Sequence, residues 1–157
     1  MPARSCTSTT VAAPQTAAST VVELDTAREF IRGNHRAVLA TLSPAGRPQL
    51  SPITVGVDER GAIVISTRQT AVKTKNIRRD PRVWLCVLND GFFGDFVQIE
   101  GTAEIVELPE AMEGLVAYYR SISGEHPDWD DYRSAMEREQ RVLVRVEPTR
   151  AGPDFHG

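Results

Sequence analysis

Alternating apolar and polar positions predict strands along much of this chain. Residues 36–43 and 48–57 alternate on either side of a turn that contains Pro and Gly, and residues 62–67 follow a second turn at 58–61. Connections this short join neighbouring antiparallel strands. The pattern therefore predicts an antiparallel sheet at the start of the folded part.

Three later segments complete the predicted sheet. Residues 82–88 form a nearly continuous apolar run, which is typical of a buried strand. Residues 95–107 alternate over a greater length, so we expect a bend near Gly101, and residues 140–147 form the last strand. Six strands with few helices predict a compact antiparallel β-barrel with peripheral helices, a mainly β member of the α+β class.

Two helices are predicted in the first half of the chain. Asp25 can cap a helix that ends at Gly33 or Asn34. Thr70 can cap a second helix, which Pro81 ends because proline cannot continue it. Each helix therefore has an expected start and an expected end.

Two more helices are predicted before the last strand. Pro109 suits the first turn of a helix that runs to about residue 121, and residues 129–137 form another with Asp128 as its cap. His126 and the three aspartates near it match no zinc or calcium spacing. Helix capping is the better account of Asp128, and we expect no metal site.

Composition divides the chain into three parts. Of the first 20 residues, 15 are Ser, Thr, Ala or Pro, so we expect residues 1–22 to form a disordered extension. Residues 23–148 form one domain, and residues 149–157 form a loose C-terminal tail. No apolar run approaches a membrane span, and the two cysteines do not form a framework. The formal net charge of −3 argues against a general nucleic-acid binder, and a cytoplasmic setting is expected.

The helix at residues 70–81 carries the strongest chemical signal. It holds Lys73, Lys75, Arg78 and Arg79, although the chain is slightly acidic. The helix dipole disfavours a lysine in the first turn unless an anion binds there, held by free N–H groups and the ammonium together. A solvated basic face is the alternative, and composition supports the two about equally. The two arginines of the last turn complement the dipole, so we expect them to be structural.

The strand at residues 48–57 has unusual backbone chemistry. Gln49 and Ser51 share one face, and Pro48 and Pro52 beside them lack the N–H groups that a central strand needs. This predicts an edge strand or one that lines a site, where a planar ring can lie against Gln49. An ordinary barrel edge is the alternative that the sequence alone favours.

Two adjacent phenylalanines occupy a glycine-flanked loop. Exposing Phe92 and Phe93 together is costly, so they either cover a planar ligand or partner subunit or form a local hydrophobic cluster. Cys86 lies in the middle of a predicted strand and is expected to act as a small hydrophobic residue. No nucleophile-elbow, phosphate-loop or dinucleotide motif is present, and catalytic residues stay unassigned.

Four segments in order resemble one protein family. They are residues 46–52 (GRPQLSP), 73–82 (KTKNIRRDPR), 100–107 (EGTAEIVE) and 124–136 (GEHPDWDDYRSAM). Together they are similar to the split β-barrel group related to pyridoxamine 5′-phosphate oxidase. Within that group the chain most resembles the actinobacterial deazaflavin-dependent reductases of the B class, which use coenzyme F420. The resemblance covers about residues 25–148.

This resemblance implies a six-stranded, FMN-binding-like split barrel and a homodimer with two cofactor sites at the subunit interface. It implies a deazaflavin whose phosphate contacts Lys73, with Thr74 and Asn76 beside it. It also implies that Gln49, Ser51, Ser66 and Thr67 line the ring and ribityl chain, and that Phe92 or Phe93 approaches from the other subunit. One position departs from the pattern: relatives often carry an arginine where this chain has Ala71, and Arg68 is the nearby residue that can substitute.

The implied reaction is hydride transfer from C5 of the reduced deazaflavin to an unidentified electron-poor small molecule. An FMN-dependent oxidase or reductase of the same fold is one alternative. A non-catalytic carrier of a cofactor or small molecule is another. No histidine or carboxylate is placed as a proton donor, so solvent or the bound substrate is expected to supply the proton.

Overall fold

The computed structural model describes residues 21–91 and 93–155. The described elements, in chain order, are α1 (Leu24–Gly33), β1 (Arg36–Leu42), β2 (Pro48–Thr54), β3 (Gly56–Val57), β4 (Ile63–Arg68), α2 (Val72–Arg79), β5 (Arg82–Leu88), β6 (Phe96–Val106), α3 (Met112–Ser123), α4 (Trp129–Arg138) and β7 (Arg141–Phe155). Among these, no helix combines the length and apolar content that a membrane crossing requires.

The seven strands form one curled sheet. Its order is β2-β1-β5-β6-β7-β4-β3, and every neighbouring pair is antiparallel. The curl brings the edge strand β2 beside β4, but no ladder joins them. We call this unpaired junction the seam. The predicted antiparallel split barrel with peripheral helices is confirmed.

Alternation along the strands fills the barrel. Strands β1 and β5 each bury every second residue, as the period of a pleated strand requires. Each large aliphatic side chain buried there contributes roughly 1.5–3 kcal/mol. The largest members of this core include Leu39, Ile65, Leu85, Ile99 and Val144, and a second cluster of Val64, Leu115, Tyr132, Met136 and Leu143 joins α3 and α4 to the sheet.

The structure has seven strands where six were expected, because the predicted strand at 48–57 breaks in two. The backbone N–H of Val55 donates to His35 O at 2.9 Å, which extends the pairing with the β1 side by one residue before the chain leaves it. The two residues after it, Gly56 and Val57, then pair with β4. The break leaves residues 65–68 of β4 without a strand on the side that faces β2.

Two predicted helix caps were wrong. The first helix begins at Leu24 with Glu23 at its cap position, so Asp25 lies inside the first turn and pairs with Arg28 at 2.8 Å. The second has Ala71 at its cap position, and no side chain caps it. Thr70 is one residue too early to reach the free N–H groups of that helix.

The later helices agree better with the pattern. Asp128 caps α4 as predicted, because its carboxylate accepts the N–H of Asp131 at 3.0 Å. The third helix begins at Met112, and Pro109 lies in the turn before it rather than in its first turn. Within residues 21–91 and 93–155 no group of acidic, histidine or cysteine side chains is arranged to hold a metal ion.

The expectation of a loose chain end after Pro148 was wrong. Strand β7 continues to Phe155 because the first half of β6 also needs a partner for its backbone groups. The ladder shifts register between Glu100 and Gly101, where Gly101 faces Pro148, and this is the bend expected near Gly101. Val22, which the sequence placed in the extension, forms a backbone bridge with Ala151 along the edge of β7 that does not face β6.

Candidate functional site

The start of α2 has the features of an anion site. Its first helical hydrogen bonds run from the N–H groups of Thr74 and Lys75 to Ala71 O, at 3.1 and 3.2 Å. The N–H groups of Val72 and Lys73 precede these bonds and therefore have no acceptor within the helix. The Lys73 ammonium makes no ion pair with any residue that the structure describes. Positive charge and free donors thus coincide at this helix end.

Buried side chains fix the position of α2. Thr74 is fully buried, and its hydroxyl donates to Arg68 O at 2.7 Å, so the helix start is tied to the end of β4. Arg78 pairs with Glu107 on the far side. The expected structural role of Arg78 agrees with this contact.

A chain of hydrogen bonds then links α2 to the inner face of β1 and β2. Arg79 donates to Asn76 Oδ1 at 3.0 Å, and Asn76 Nδ2 donates to Thr41 Oγ1, also at 3.0 Å. Thr41 Oγ1 in turn donates to Gln49 Oε1 at 3.2 Å. Because a guanidinium can only donate, each later group has one role, and at the end of the chain the Gln49 amide NH₂ donates to Leu50 O at 3.1 Å.

A cavity of about 690 Å³ opens between this helix, the seam, and α3 and α4. Pro52, Ile53 and Thr54 line it from β2, Ser66 and Thr67 from β4, Lys73 from α2, and Tyr118, Tyr119, Tyr132, Met136, Glu139 and Arg141 from the helices and β7. The lining therefore combines charged and aromatic side chains. Arg141 is neutralised by Glu139 at 2.7 Å, so Lys73 is the cation of this cavity that has no carboxylate partner.

Tyr118 lies at the centre of the cavity wall. Its hydroxyl donates to Thr54 O of β2 at 2.9 Å. Burial raises the pKa of this phenol, and so the hydroxyl stays protonated at neutral pH.

Other aromatic rings pack against the tyrosines that line the cavity. Tyr119 and Tyr132, which line the cavity, lie with ring centroids 5.1 Å apart, and His126 and Trp129 pack against both. Arg120 lies 4.8 Å above the Trp129 ring. Burial raises the pKa of Tyr132 to about 12, and its hydroxyl donates to Leu115 O at 2.9 Å.

The structure brings some of the predicted site residues together. Ser66, Thr67 and Lys73 line the cavity, whereas Thr74 and Asn76 are buried and bond within the protein. Gln49 and Ser51 face the inside of β2, and the Ser51 hydroxyl is buried with no hydrogen-bond partner. Phe93 is 90% exposed, and Phe92 lies outside the described residues.

Sequence reasoning missed the three tyrosines and Thr41. The segment at 124–136 entered only through its resemblance, although its aromatic spacing next to Tyr118 and Tyr119 was a signal. No sequence signal marked Thr41, because a threonine is a common residue in a strand. Its role depends on Asn76, which is 35 residues away along the chain.

A second cavity of about 660 Å³ runs along the other side of α3. Apolar and charged side chains both line it, and two of its three arginines are paired: Arg145 with Asp58 at 2.9 Å and Arg120 with Glu125 at 2.6 Å. No residue predicted from the sequence lines it. The cavity at the seam therefore remains the candidate site.

The outer face of the sheet carries an apolar row. Leu50, Ala40 and Trp84 stand side by side across β2, β1 and β5, and Val38 and Cys86 form the next row. Leu50 is 65% exposed, which is unusual for a leucine on a sheet. This face lies next to the seam because β2 contributes to both.

The model of one protein family, described as pyridoxamine 5′-phosphate oxidase, matches residues 24–152. The chain belongs to this family. The match spans α1 through most of β7, and hence every strand that surrounds the cavity. The family assignment made from the four sequence segments is confirmed.

Solved structures share the family fold. A conserved hypothetical protein, Rv2991, from Mycobacterium tuberculosis is 29% identical with a TM-score of 0.70, and the alignment covers 87% of this chain and 86% of that one. An F420 reductase is 21% identical with a TM-score of 0.62, covering 80% and 94%. The haem storage protein HutZ from Vibrio cholerae is 17% identical with a TM-score of 0.66, covering 85% and 95%. The last two identities show a shared fold alone.

Proposed function

We propose that this protein is a cytoplasmic oxidoreductase that uses coenzyme F420 to reduce an electron-poor small molecule. The observation that carries the proposal is the cavity at the seam, whose lining combines Lys73, at the start of α2 with its free N–H groups, and aromatic side chains. This combination suits a planar ring that bears a phosphate.

The residues present fit such a cofactor. A cavity of about 690 Å³ lies within the usual range for small-molecule sites. Lys73 and the α2 N-terminus would hold the phosphate, while Ser66 and Thr67 would bond the polar chain that follows. The buried and unpartnered hydroxyl of Ser51, on the inner face of β2, is a further donor for a ligand that enters the seam.

A reduced deazaflavin supplies a hydride when it is bound, and the protein supplies alignment and a dry surface. Tyr118, Tyr119 and Tyr132 would exclude water from one side of the ring. The Tyr118 proton is already donated to Thr54 O, so this phenol is a poor candidate for the proton donor. Solvent or substrate would provide that proton.

The same proposal includes a homodimer. In the described part of one subunit Leu50 is 65% exposed at the end of the apolar row that it forms with Ala40 and Trp84, and a second copy would cover it. Because β2 carries this row on one face and site residues on the other, a partner subunit would lie beside the cofactor. Phe92 or Phe93 of that subunit would then approach the ring, as the family resemblance implies.

Two other functions remain open at this site. FMN has the same combination of planar ring and phosphate, and the family model that matches bears the name of an oxidase. A carrier would bind a ring and catalyse nothing, and HutZ, which shares the fold, is described as a haem storage protein. Neither has a residue contact in this chain that favours it over the deazaflavin.

Equilibrium titration separates these functions. Purified protein is titrated with F420, FMN and haem, and the dissociation constants are compared. We expect F420 to bind most tightly, and reduced F420 to be oxidised in the presence of at least one quinone, enone or nitroaromatic compound. Tight FMN binding without F420 binding would refute the proposal, and F420 binding without turnover would favour a carrier.

A further inference from the structure

Two arginines face each other where β4 ends and β7 begins. Arg68 is the last residue of β4 and Arg141 the first of β7, and the two are direct partners in the antiparallel ladder. Like charges placed directly opposite each other destabilise a ladder. The turn before β7 supplies a carboxylate to both, because Glu139 Oε2 lies 2.7 Å from a nitrogen of Arg141 and 4.0 Å from one of Arg68. One carboxylate therefore serves two guanidinium groups.

This group lies at the candidate site. Glu139 and Arg141 line the cavity at the seam together with Lys73. The backbone carbonyl of Arg68 accepts the Thr74 hydroxyl at 2.7 Å, which joins the group to the helix that carries Lys73. Three cations, Arg68, Lys73 and Arg141, thus accompany the single anion Glu139.

The ion pair between Glu139 and Arg141 is easily exchanged. Nε and Nη2 of Arg141 both lie 2.7 Å from the same oxygen, Oε2, so the pair lacks the two parallel bonds of the strongest arginine–carboxylate geometry. The Glu139 side chain is 37% exposed and that of Arg141 28%, and pairs in contact with solvent stabilise a fold little. A ligand phosphate can accept two parallel bonds from the same guanidinium. Replacing Glu139 by such a ligand therefore costs little.

The carboxylate is nevertheless charged and held in place. The hydrogen bond from Arg141 keeps the pKa of Glu139 below its ordinary value, so the group is ionised at neutral pH. Gln140, between the two, has a φ of 51°, and its carbonyl accepts the Gln69 N–H at 2.8 Å. This bond ties the turn to the end of β4. An anionic ligand that enters the cavity consequently meets a fixed negative charge beside Arg141.

We propose that Arg141 is a second anion-binding residue of the cavity, and that Glu139 limits the affinity for the anion because the ligand must displace this carboxylate from the arginine. The anion is the phosphate of the ring-bearing ligand, which Arg141 binds together with Lys73. This identity of the ligand rests on the proposed function. The competition between Glu139 and an anion does not, and it is tested separately.

The test compares Glu139→Gln with Glu137→Gln. Each change removes one negative charge from the end of the same chain segment, but Glu137 is exposed and lies outside the described lining of the cavity. The ligands are F420 and its deazaflavin chromophore without phosphate and tail, or FMN and riboflavin if FMN is the ligand. Each pair shares the ring and differs in its anionic part.

We expect Glu139→Gln to bind the phosphate-bearing ligand roughly five- to tenfold more tightly than the wild type, because Arg141 no longer has to leave a carboxylate. The phosphate-free ligand should bind within about twofold of the wild type, and Glu137→Gln should leave both affinities within about twofold. Unchanged affinity in Glu139→Gln overturns the proposal. The same gain for the phosphate-free ligand, or in Glu137→Gln, overturns it as well.

A double-mutant cycle tests the part played by Arg141. We expect Arg141→Gln to weaken binding of the phosphate-bearing ligand by roughly threefold or more, because one charge-assisted contact is lost. Glu139→Gln added to this variant should change the affinity by less than about twofold, because the arginine for which the two anions compete is gone. An equal gain with and without Arg141 would assign the effect to repulsion alone and overturn the role of this arginine.

Inorganic pyrophosphate tests the competition without a cofactor. NMR follows the Nε–H signal of Arg141 during the titration. We expect pyrophosphate to shift this signal at roughly fivefold lower concentration in Glu139→Gln than in the wild type. No shift in either protein, or equal midpoints in both, overturns the competition. If the wild type binds neither F420 nor FMN, the proposed function fails, and this titration still decides whether Glu139 and an anion compete for Arg141.

Discussion

At the scale of the residue, Lys73 is the side chain on which the proposed cofactor binding depends most. It is the cation of the cavity without a carboxylate partner, and it stands beside the free N–H groups of α2. Lys75, two residues along, is exposed and lines no described part of that cavity. Substituting each lysine in turn therefore distinguishes a specific contact of Lys73 from a general effect of positive charge.

We expect Lys73→Ala to weaken F420 binding by about 1.5–3 kcal/mol, or roughly 10- to 100-fold, because a charge-assisted contact is lost. The fold should remain intact, as shown by an unchanged circular dichroism spectrum. Lys75→Ala is the matched control and should bind normally. Equal affinity of the Lys73 variant and the wild type would refute the role given to this lysine.

The raised pKa of Tyr132 predicts how the free energy of unfolding changes at alkaline pH. Burial raises its pKa from the ordinary value of 10.0 to about 12, so the folded protein binds more protons than the unfolded chain between these values. The stabilisation is therefore fully present below about pH 10 and is lost as the pH rises towards 12.

Urea unfolding at a series of pH values from about 9 to 12 measures this dependence. We expect the free energy of unfolding to fall over the upper part of that range. Tyr132→Phe should flatten part of the fall, because Tyr118, whose pKa burial also raises, remains. A fall of the same size in the variant would contradict the assignment to Tyr132.

At the scale of the element, the position of α2 depends on the chain of hydrogen bonds that runs from Arg79 to Gln49. Thr41 stands in its middle, fully buried, and it both accepts from Asn76 and donates to Gln49. The cofactor contacts proposed for Lys73 follow from this attachment, since it sets where the helix begins relative to the seam.

We expect Thr41→Val to lower the free energy of unfolding by roughly 1–3 kcal/mol, because buried amide groups lose their partner while the volume hardly changes. Thr102→Val is a suitable control, since Thr102 is exposed on β6. Urea unfolding at neutral pH compares the two. If the Thr41 variant has the same free energy of unfolding as the control, the chain of hydrogen bonds does not contribute to stability.

The bounds of the strands and helices show which parts of the fold a local sequence pattern predicts. The bounds of β5 were predicted without error and those of β1 to within a residue, because alternation and burial are properties of a few neighbouring residues. The start of α2 was missed, since no capping side chain marks it. The extension of β7 to Phe155 was missed because it depends on the length of β6 and not on its own sequence.

At the scale of the whole molecule, the outer row of Leu50, Ala40 and Trp84 predicts association. An apolar patch of this kind on an edge strand invites a second copy, and the family resemblance implies a dimer. Cys86 lies in the neighbouring row, where burial already raises the pKa of its thiol in one subunit.

We expect the protein to elute as a dimer, and Leu50→Lys to shift it towards monomer by at least tenfold in the dimer dissociation constant, because a charge replaces an apolar contact. Light scattering with size-exclusion chromatography measures the mass. Ser134→Lys, an exposed change on α4, is the control for charge alone. A monomeric wild type would refute the predicted dimer, and a dimeric Leu50 variant would place its interface elsewhere.

The sequence by itself determined the strands, their inner and outer faces, the bend at Gly101 and the basic helix. These follow from periodicity and backbone chemistry within short stretches of chain. Four ordered segments were enough to indicate the family.

Only the tertiary structure decided where the barrel stays open and which side chains stand at the opening. Thr54 and Tyr118 are 64 residues apart in the chain, and their hydrogen bond exists because the curl of the sheet and the packing of α3 bring them together. The same curl brings Lys73 and three tyrosines into the lining of one cavity. Such distances depend on every strand in between, which is why no local pattern records them.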